Sequence, residues 1–232
     1  EDDRDLSDLI EDTSDQDIAA TRQGKITDCR NTGAVEGDRN VGGIVGAMAI
    51  EYDLDPEDDI DRFSLGSSYE TKAVLQNSVN RGAVTAKKDC AGGVAGRMDL
   101  GTALECQNYG DVTSTSGDYV GGIAGRADAT VRENYAKCAL SGTCYVGGIA
   151  GRNLGSLIQC RNSGSVNTTE VETEKDLTNV DWEQLNSAEN MPASTDIGGI
   201  AGWSSGILQS CSNSGPVGYA HVGYNIGGVV GR

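Results

Sequence analysis

The stretch Tyr145–Arg152 reads YVGGIAGR, and the same eight letters stand at 119–126, 26 positions earlier. Two adjacent glycines inside a β-branched run carry an entropic cost in any ordinary strand, so the geometry must require them. The shorter pattern Φ-Gly-Gly-Φ-small-Gly recurs six times, at Val41–Gly46, Ala91–Gly96, Val120–Gly125, Val146–Gly151, Ile197–Gly202 and Ile226–Gly231. A second pattern, Cys-x-Asn-x-Gly-x-Val, alternates with it: CRNTGAV at 29–35, SVNRGAV at 78–84, CQNYGDV at 106–112, CRNSGSV at 160–166 and CSNSGPV at 211–217. The copy at 134–140, NYAKCAL, is degenerate. A glycine often precedes the cysteine by five residues, as at Gly24, Gly101, Gly155 and Gly206.

Successive double glycines lie 50, 29, 26, 51 and 29 residues apart. The two long gaps hold one copy of each pattern, so each is one repeat carrying an insertion, over 47–73 and 168–195. Aligning Gly24 with Gly206 places a worn extra repeat at Gln16–Thr21, with Ile18 and Ala19 as its core residues. A fixed period in this range means a solenoid. Units rich in Gly, Asn, Ser, Thr and Val without a 3.6-residue period favour strands over helices. The expected fold is all-β: a right-handed parallel β-helix of about seven coils, stacked about 4.8 Å apart and about 30–35 Å long. The two apolar residues of Φ-Gly-Gly-Φ are three apart and would face opposite ways in a flat strand. A corner at the glycines turns both inward; left-handed backbone or close approach of coils explains why glycine is used. Residues 1–16 read as a cap or linker. Leu6, Leu9 and Ile10 share one helical face there, which suits a short helix over the first coil. The whole of 1–232 forms one repeat domain, read as a monomeric fragment of a longer protein.

Composition narrows the function classes. Net charge is −17, with a pI near 4.3, and such a surface repels phosphate backbones, so nucleic acid is not an expected partner. No apolar run has membrane-spanning length, and the chain does not open on a cleavable signal pattern. Glycine is 33 of 232 residues and aromatics are 5%, which suits a narrow core of Val, Ile, Ala and Cys. The seven cysteines form no CxxC pair, and His221 is the single histidine. Zinc-ribbon and His-based triad chemistry are thereby set aside.

The segments GGIAG and GGIVG resemble GLUG-motif repeats, which occur in large bacterial surface and secreted proteins, including regions of immunoglobulin A1-cleaving metallopeptidases. The resemblance covers roughly 17–232 apart from the two insertions. It implies a solenoid in an exported bacterial protein, located extracellularly or on the cell surface. It implies no catalytic residues. That peptidase's His-Glu-x-x-His motif needs two histidines and this chain has one.

Stacking turns repeated positions into rows. Cys29, Ser78, Cys106, Asn134, Cys160 and Cys211 read as a small inward row of unbridged thiols and their substitutes. Cys138 and Cys144 are a separate pair able to bridge one turn. Asn31, Asn80, Asn108, Ala136, Asn162 and Asn213 read as an amide ladder. Arg97, Arg126 and Arg152, continued by Trp203 and Arg232, need counter-charges or a bound anion, since like charges one coil apart repel. The row is therefore a binding candidate at Arg97, Arg126, Arg152 and Trp203. In the first insertion Asp53, Asp55, Glu57, Asp58, Asp59 and Asp61 are calcium candidates, although an EF-hand's glycine and terminal acid are missing. No other cofactor is indicated. In the second insertion Trp182 follows a short helix start and serves as a loop anchor or a binding residue. Recognition is expected in these insertions, because loops on a rigid scaffold commonly carry it.

Two functions fit. One is a non-catalytic structural or adhesive module, a stalk or binding surface for host protein or glycan. The other is a carbohydrate-active β-helix enzyme, a polysaccharide lyase or hydrolase with its site built by the insertions.

Overall fold

The computed structural model describes residues 10–49, 69–168, 194–218 and 223–232. Every strand in them pairs in parallel, and the pairs stack into a parallel β-helix of six coils with five walls. Coil three shows the order. The chain runs through Thr102–Leu104, Gln107–Asn108, Val112–Ser114, Val120–Gly121 and Ala124–Ala127, one strand per wall, before entering coil four at Thr130. Register is strict. Val120 pairs with Ala91 below and Val146 above, and Asn108 lies between Asn80 and Ala136. Single bridges extend the third wall at Val166 in coil five and Val217 in coil six, and the fifth wall at Val230 in coil six. Six coils give five spacings, about 24 Å in all.

The difference from seven coils lies at Gln16–Thr21. This segment is a turn: the amides of Ala20 and Thr21 both donate to the Asp17 carbonyl. Ile18 is half-buried and Ala19 exposed, so neither is a core residue. Nor is there a helix among the described residues, and so none long and apolar enough to cross a membrane. The helical reading fails at Ile10, because Ile10–Asp12 is a strand paired with Tyr69–Thr71. The segment then runs along the side of the stack. Asp12 Oδ2 accepts from the Gly101 amide at 2.7 Å, and Asp15 accepts from the hydroxyls of Thr102 at 2.5 Å and Thr130 at 2.7 Å. Leu6 and Leu9 lie outside the described residues; from Ile10 on, polar contacts set the path of the segment. The insertions also shrink at their ends. Ala47 and Met48 belong to the strand Val45–Met48, Tyr69–Thr71 is a strand, and Ser194–Gly198 begins inside the second insertion.

Both apolar residues of Φ-Gly-Gly-Φ face the core as the corner requires. Val120 and Ile123, Val146 and Ile149, and Ile197 and Ile200 are fully buried. The glycines themselves do not adopt left-handed backbone; the residue ahead of each motif does. Asn40, Cys90, Tyr119, Tyr145, Asp196 and Asn225 have φ between 52° and 66°. What demands glycine is space. A Cβ on Gly121 would stand 1.9 Å from the Ala124 carbonyl oxygen, inside the same corner. One on Gly148 would stand 2.0 Å from the Gly199 carbonyl oxygen and 2.5 Å from the Asn162 amide nitrogen. One on Gly151 would stand 2.5 Å from the Val120 nitrogen, because the fifth-wall strand lies directly on the fourth-wall strand of the coil below.

The asparagine row is a hydrogen-bonded ladder. Asn31 Nδ2 donates to Asn80 Oδ1, and Asn80 Nδ2 to Asn108 Oδ1, both at 2.9 Å. Asn162 continues to Asn213 at 2.9 Å. Each amide also clamps the glycine two residues on, as Asn80 does with both the N–H and C=O of Gly82. The degenerate coil breaks the ladder and repairs it. Ala136 replaces the asparagine, Cys138 replaces the glycine, and the Cys138 thiol accepts from Asn108 Nδ2 at 3.2 Å.

Two outcomes test these contacts by chemical denaturation. Gly93→Ala places its methyl 2.0 Å from Asn108 Nδ2 and 2.2 Å from the Gly122 carbonyl oxygen and should unfold the coil stack, whereas the equivalent Gly228→Ala, with nothing within 4 Å, should match the parent. Asn80→Ala strips partners from a buried network and should cost about 3 kcal/mol, while the double change Ala136→Asn with Cys138→Gly should add about 1 kcal/mol by closing the ladder.

Candidate functional site

Two concave surfaces stand out, on different walls. The larger is a groove of about 1030 Å³ along the second wall, crossing coils two to six. One side is the row that turns into this wall, Asn77, Glu105, Glu133, Gln159 and Ser210, all left-handed with φ between 45° and 58°. Gln107, Tyr135, Arg161 and Ser212, with Tyr109, form the floor. In a strand, neighbours alternate faces. With the cysteine and asparagine rows inward, the residue between them points out into the groove.

The floor is partly organised. Tyr109 and Tyr135 meet edge to face, ring centroids 6.0 Å apart, and Arg81 lies 4.5 Å over the Tyr109 ring. The Tyr109 hydroxyl donates to Gln107 Oε1 at 2.8 Å, and Tyr135 Oη is 2.5 Å from Ser163 Oγ. Glu133 lies 3.8 Å from Arg132 Nε, and Gln76 donates to Glu105 at 3.5 Å. Arg161 carries no ion pair among the described residues. The surface offers amides, hydroxyls, two rings, two carboxylates and one guanidinium, on positions that recur at the coil spacing.

The smaller surface is a notch of about 230 Å³ lined by Tyr119, Tyr145, Arg152, Trp203 and Arg232, where the left-handed corner row meets the fifth wall. Tyr119 and Tyr145 stack with centroids 5.1 Å apart and planes 21° apart. Burial pushes the Tyr119 phenol upward, against the nearby Arg152 charge. Arg152 lies 5.9 Å over Tyr119 and 5.2 Å over Trp203.

The arginine row therefore divides. Arg97 Nε donates to Asp99 at 2.6 Å, and Arg126 is held the same way by Asp128. Those two guanidiniums have the counter-charges the row required. Arg152 and Trp203 sit at the notch instead. Trp182 and all six calcium candidates, Asp53, Asp55, Glu57, Asp58, Asp59 and Asp61, lie outside the described residues. Among the described residues no group of three or more His, Cys, Asp or Glu side chains is arranged to hold a metal ion. The groove residues and both tyrosines escaped the sequence reading. Their signal was present: the positions flanking each motif cysteine are mostly long and polar, and tyrosine heads both copies of YVGGIAGR.

The thiols are the remaining reactive groups, and all seven are unbridged. Cys106, Cys160 and Cys211 each donate to carbonyls of their own coil and the one below. Cys29 is exposed and Cys211 half-buried because the row runs out at the end coils, so the inward, shielded reading holds for Cys106 and Cys160 only. Cys138 and Cys144 remain separate thiols. Burial pushes Cys106 up to about 11 and Cys138 up to about 12. The neighbouring Cys211 thiol, together with burial, pushes Cys160 up, and the Cys160 thiol beside it pulls Cys211 down.

No protein-family model, no curated protein and no solved structure matches this chain.

Native alkylation near neutral pH should modify Cys29 and Cys211 quickly and Cys106, Cys138 and Cys160 only after denaturant, since the thiolate is the reacting form. Peptide mapping by mass spectrometry reads this directly. Fast native modification of Cys106 would contradict the inward row.

Proposed function

We propose that this chain is a non-catalytic structural and adhesive module of a GLUG-type repeat protein, exported by a bacterium to the cell surface or medium. The observation that carries the reading is the second-wall groove: one polar surface running across five coils, with two tyrosine rings on coils three and four. A linear polymer presents its groups at even intervals, and a coil repeat presents partners at even intervals along its axis. Hydroxyls and amides pair with sugar hydroxyls, and tyrosine rings accept the apolar faces of pyranoses. A glycan chain lying along the groove is the ligand best matched to it. The walls are rigid because each coil is hydrogen-bonded to the next, which suits a stalk that displays this surface.

One feature favours a second reading, a glycoside hydrolase. Glu105 and Glu133 occupy the same row on successive coils, a step of about 4.8 Å, close to the roughly 5–5.5 Å separation used by retaining enzymes. Both stand exposed to water, and neither is enclosed in an apolar pocket.

The test combines a glycan array with a reducing-sugar assay on the hits. The module reading expects binding without release of reducing ends, and a loss of about tenfold in affinity for Tyr135→Ala when a stacked ring is removed. Turnover abolished by Glu133→Gln would replace it with the hydrolase reading.

A further inference from the structure

The notch on the fifth wall differs from the groove in charge and construction. At the position two residues after the row arginine, coil two has Asp99 and coil three has Asp128. Their amides bond to Met48 and Met98 carbonyls in the coils below. Coil four has Leu154 at that position, its amide bonded to the Ala127 carbonyl in the equivalent way. The leucine is 38% exposed. The carboxylate that neutralises Arg97 and Arg126 is thus withdrawn at Arg152 alone among the three.

In the same coils, aromatic rings replace the repeat's usual residues. The left-handed corner row holds Asn40 and Cys90 in the first coils, then Tyr119 and Tyr145. The arginine row holds Trp203 in coil five. These changes surround Arg152. Its guanidinium lies over the Tyr119 and Trp203 rings and has no ion pair among the described residues. Nearby carboxylates have other neighbours. Asp128 holds Arg126, burial and the neighbouring Asp89 charge push the Asp118 carboxyl upward, and Asp196 accepts from Asn225 at 2.7 Å and lies 4.0 Å from Arg232 Nη1. The result is a local cationic slot between aromatic faces on a chain of net charge −17.

We propose that this notch binds a carboxylate-bearing sugar residue, its acid group forked on Arg152 and its ring against Trp203 and the stacked tyrosines. The planar guanidinium presents parallel N–H donors that match a carboxylate bidentately. With Tyr119 and Trp203 both near its guanidinium, Arg152 offers an acid group that is carried on a sugar ring a charge partner and aromatic faces at once. A carboxylate set directly on the ring carbon brings that ring closer to them than a sulfate ester, which stands off on an extra oxygen. The notch volume of about 230 Å³ suits one sugar unit. The proposal shares a ligand class with the glycan-binding reading but uses another face.

The probe is a trigalacturonate, compared with its methyl ester and with a sulfated galactose trimer by isothermal titration calorimetry, with circular dichroism as a fold check. The acid should bind the parent at least about tenfold more tightly than the ester, the worth of one charge-assisted pair. Arg152→Gln should remove that preference. Leu154→Asp, which restores the repeat's own counter-charge, should remove it too, while the exposed Arg22→Gln should leave it intact. Equal binding of acid and ester, no binding of the acid at millimolar concentration, tighter binding of the sulfated trimer, or an unchanged preference in Leu154→Asp would each overturn the proposal. The two sites fail separately: neutral glycans that bind parent and Arg152→Gln alike report on the groove, and the acid-over-ester preference reports on the notch.

Discussion

Bare backbone lying on bare backbone is the constraint from which the rest of this structure follows. At the last glycine of each motif the fifth-wall strand rests on the fourth-wall strand of the coil below. An added Cβ on Gly125, Gly151 or Gly202 would fall 2.5–2.8 Å from that strand's backbone. No side chain fits between the two walls, so the core of each coil is confined to the remaining space and filled by Val, Ile, Leu and Ala. The same closeness fixes register. A slip of one residue would bring a side chain into the contact and turn every inward row outward.

Satisfying polar groups inside so narrow a coil is the second demand. A corner exposes backbone N–H and C=O groups to the interior, where an unpaired group costs about 1–3 kcal/mol. The asparagine ladder meets this by clamping one turn and bonding to the next coil with the same amide. Its repair at coil four shows that the constraint acts on the hydrogen bond and not on the residue type. Where Ala136 removes the amide, the Cys138 sulfur takes its acceptor role. The thiol row works similarly, each sulfur donating to carbonyls of two coils. The stack weakens at its ends, where a neighbour is missing: Cys29, Ile226 and Val229 are exposed although their repeat partners are buried.

A wall that must stack has little freedom inward and much freedom outward. The groove and the notch both use the outward half of rows whose inward half is fixed. The groove varies smoothly, exchanging amide, carboxylate and hydroxyl from coil to coil. The notch is made by substitution against the repeat: leucine for aspartate at 154, tyrosine for smaller residues at 119 and 145, tryptophan for arginine at 203. None of these changes is needed for stacking, since Leu154 makes the same backbone bond as its aspartate equivalents.

The sequence alone determined the solenoid, because a β-helix is nearest-neighbour architecture and its repeats can be read one against another. It determined the six complete motifs, the amide ladder, the free thiols and the need for counter-charges on Arg97 and Arg126. It left the role of the glycines open between left-handed backbone and close approach of coils; the structure decides for close approach, while Asn40, Tyr119 and Asp196 turn the corner. It misread Gln16–Thr21 and the first residues of the described chain because neither is held by the repeat. The contacts of Asp12 and Asp15 with Gly101, Thr102 and Thr130 span 87 to 115 residues, and no periodicity signals them. Only the tertiary structure decided which members of a row act together. Arg97, Arg126 and Arg152 are equivalent as letters, and what separates them is a carboxylate two residues on and rings contributed by neighbouring coils. Such a site is assembled from residues 119 to 232, brought together by stacking, so its geometry exists only once the coils are closed.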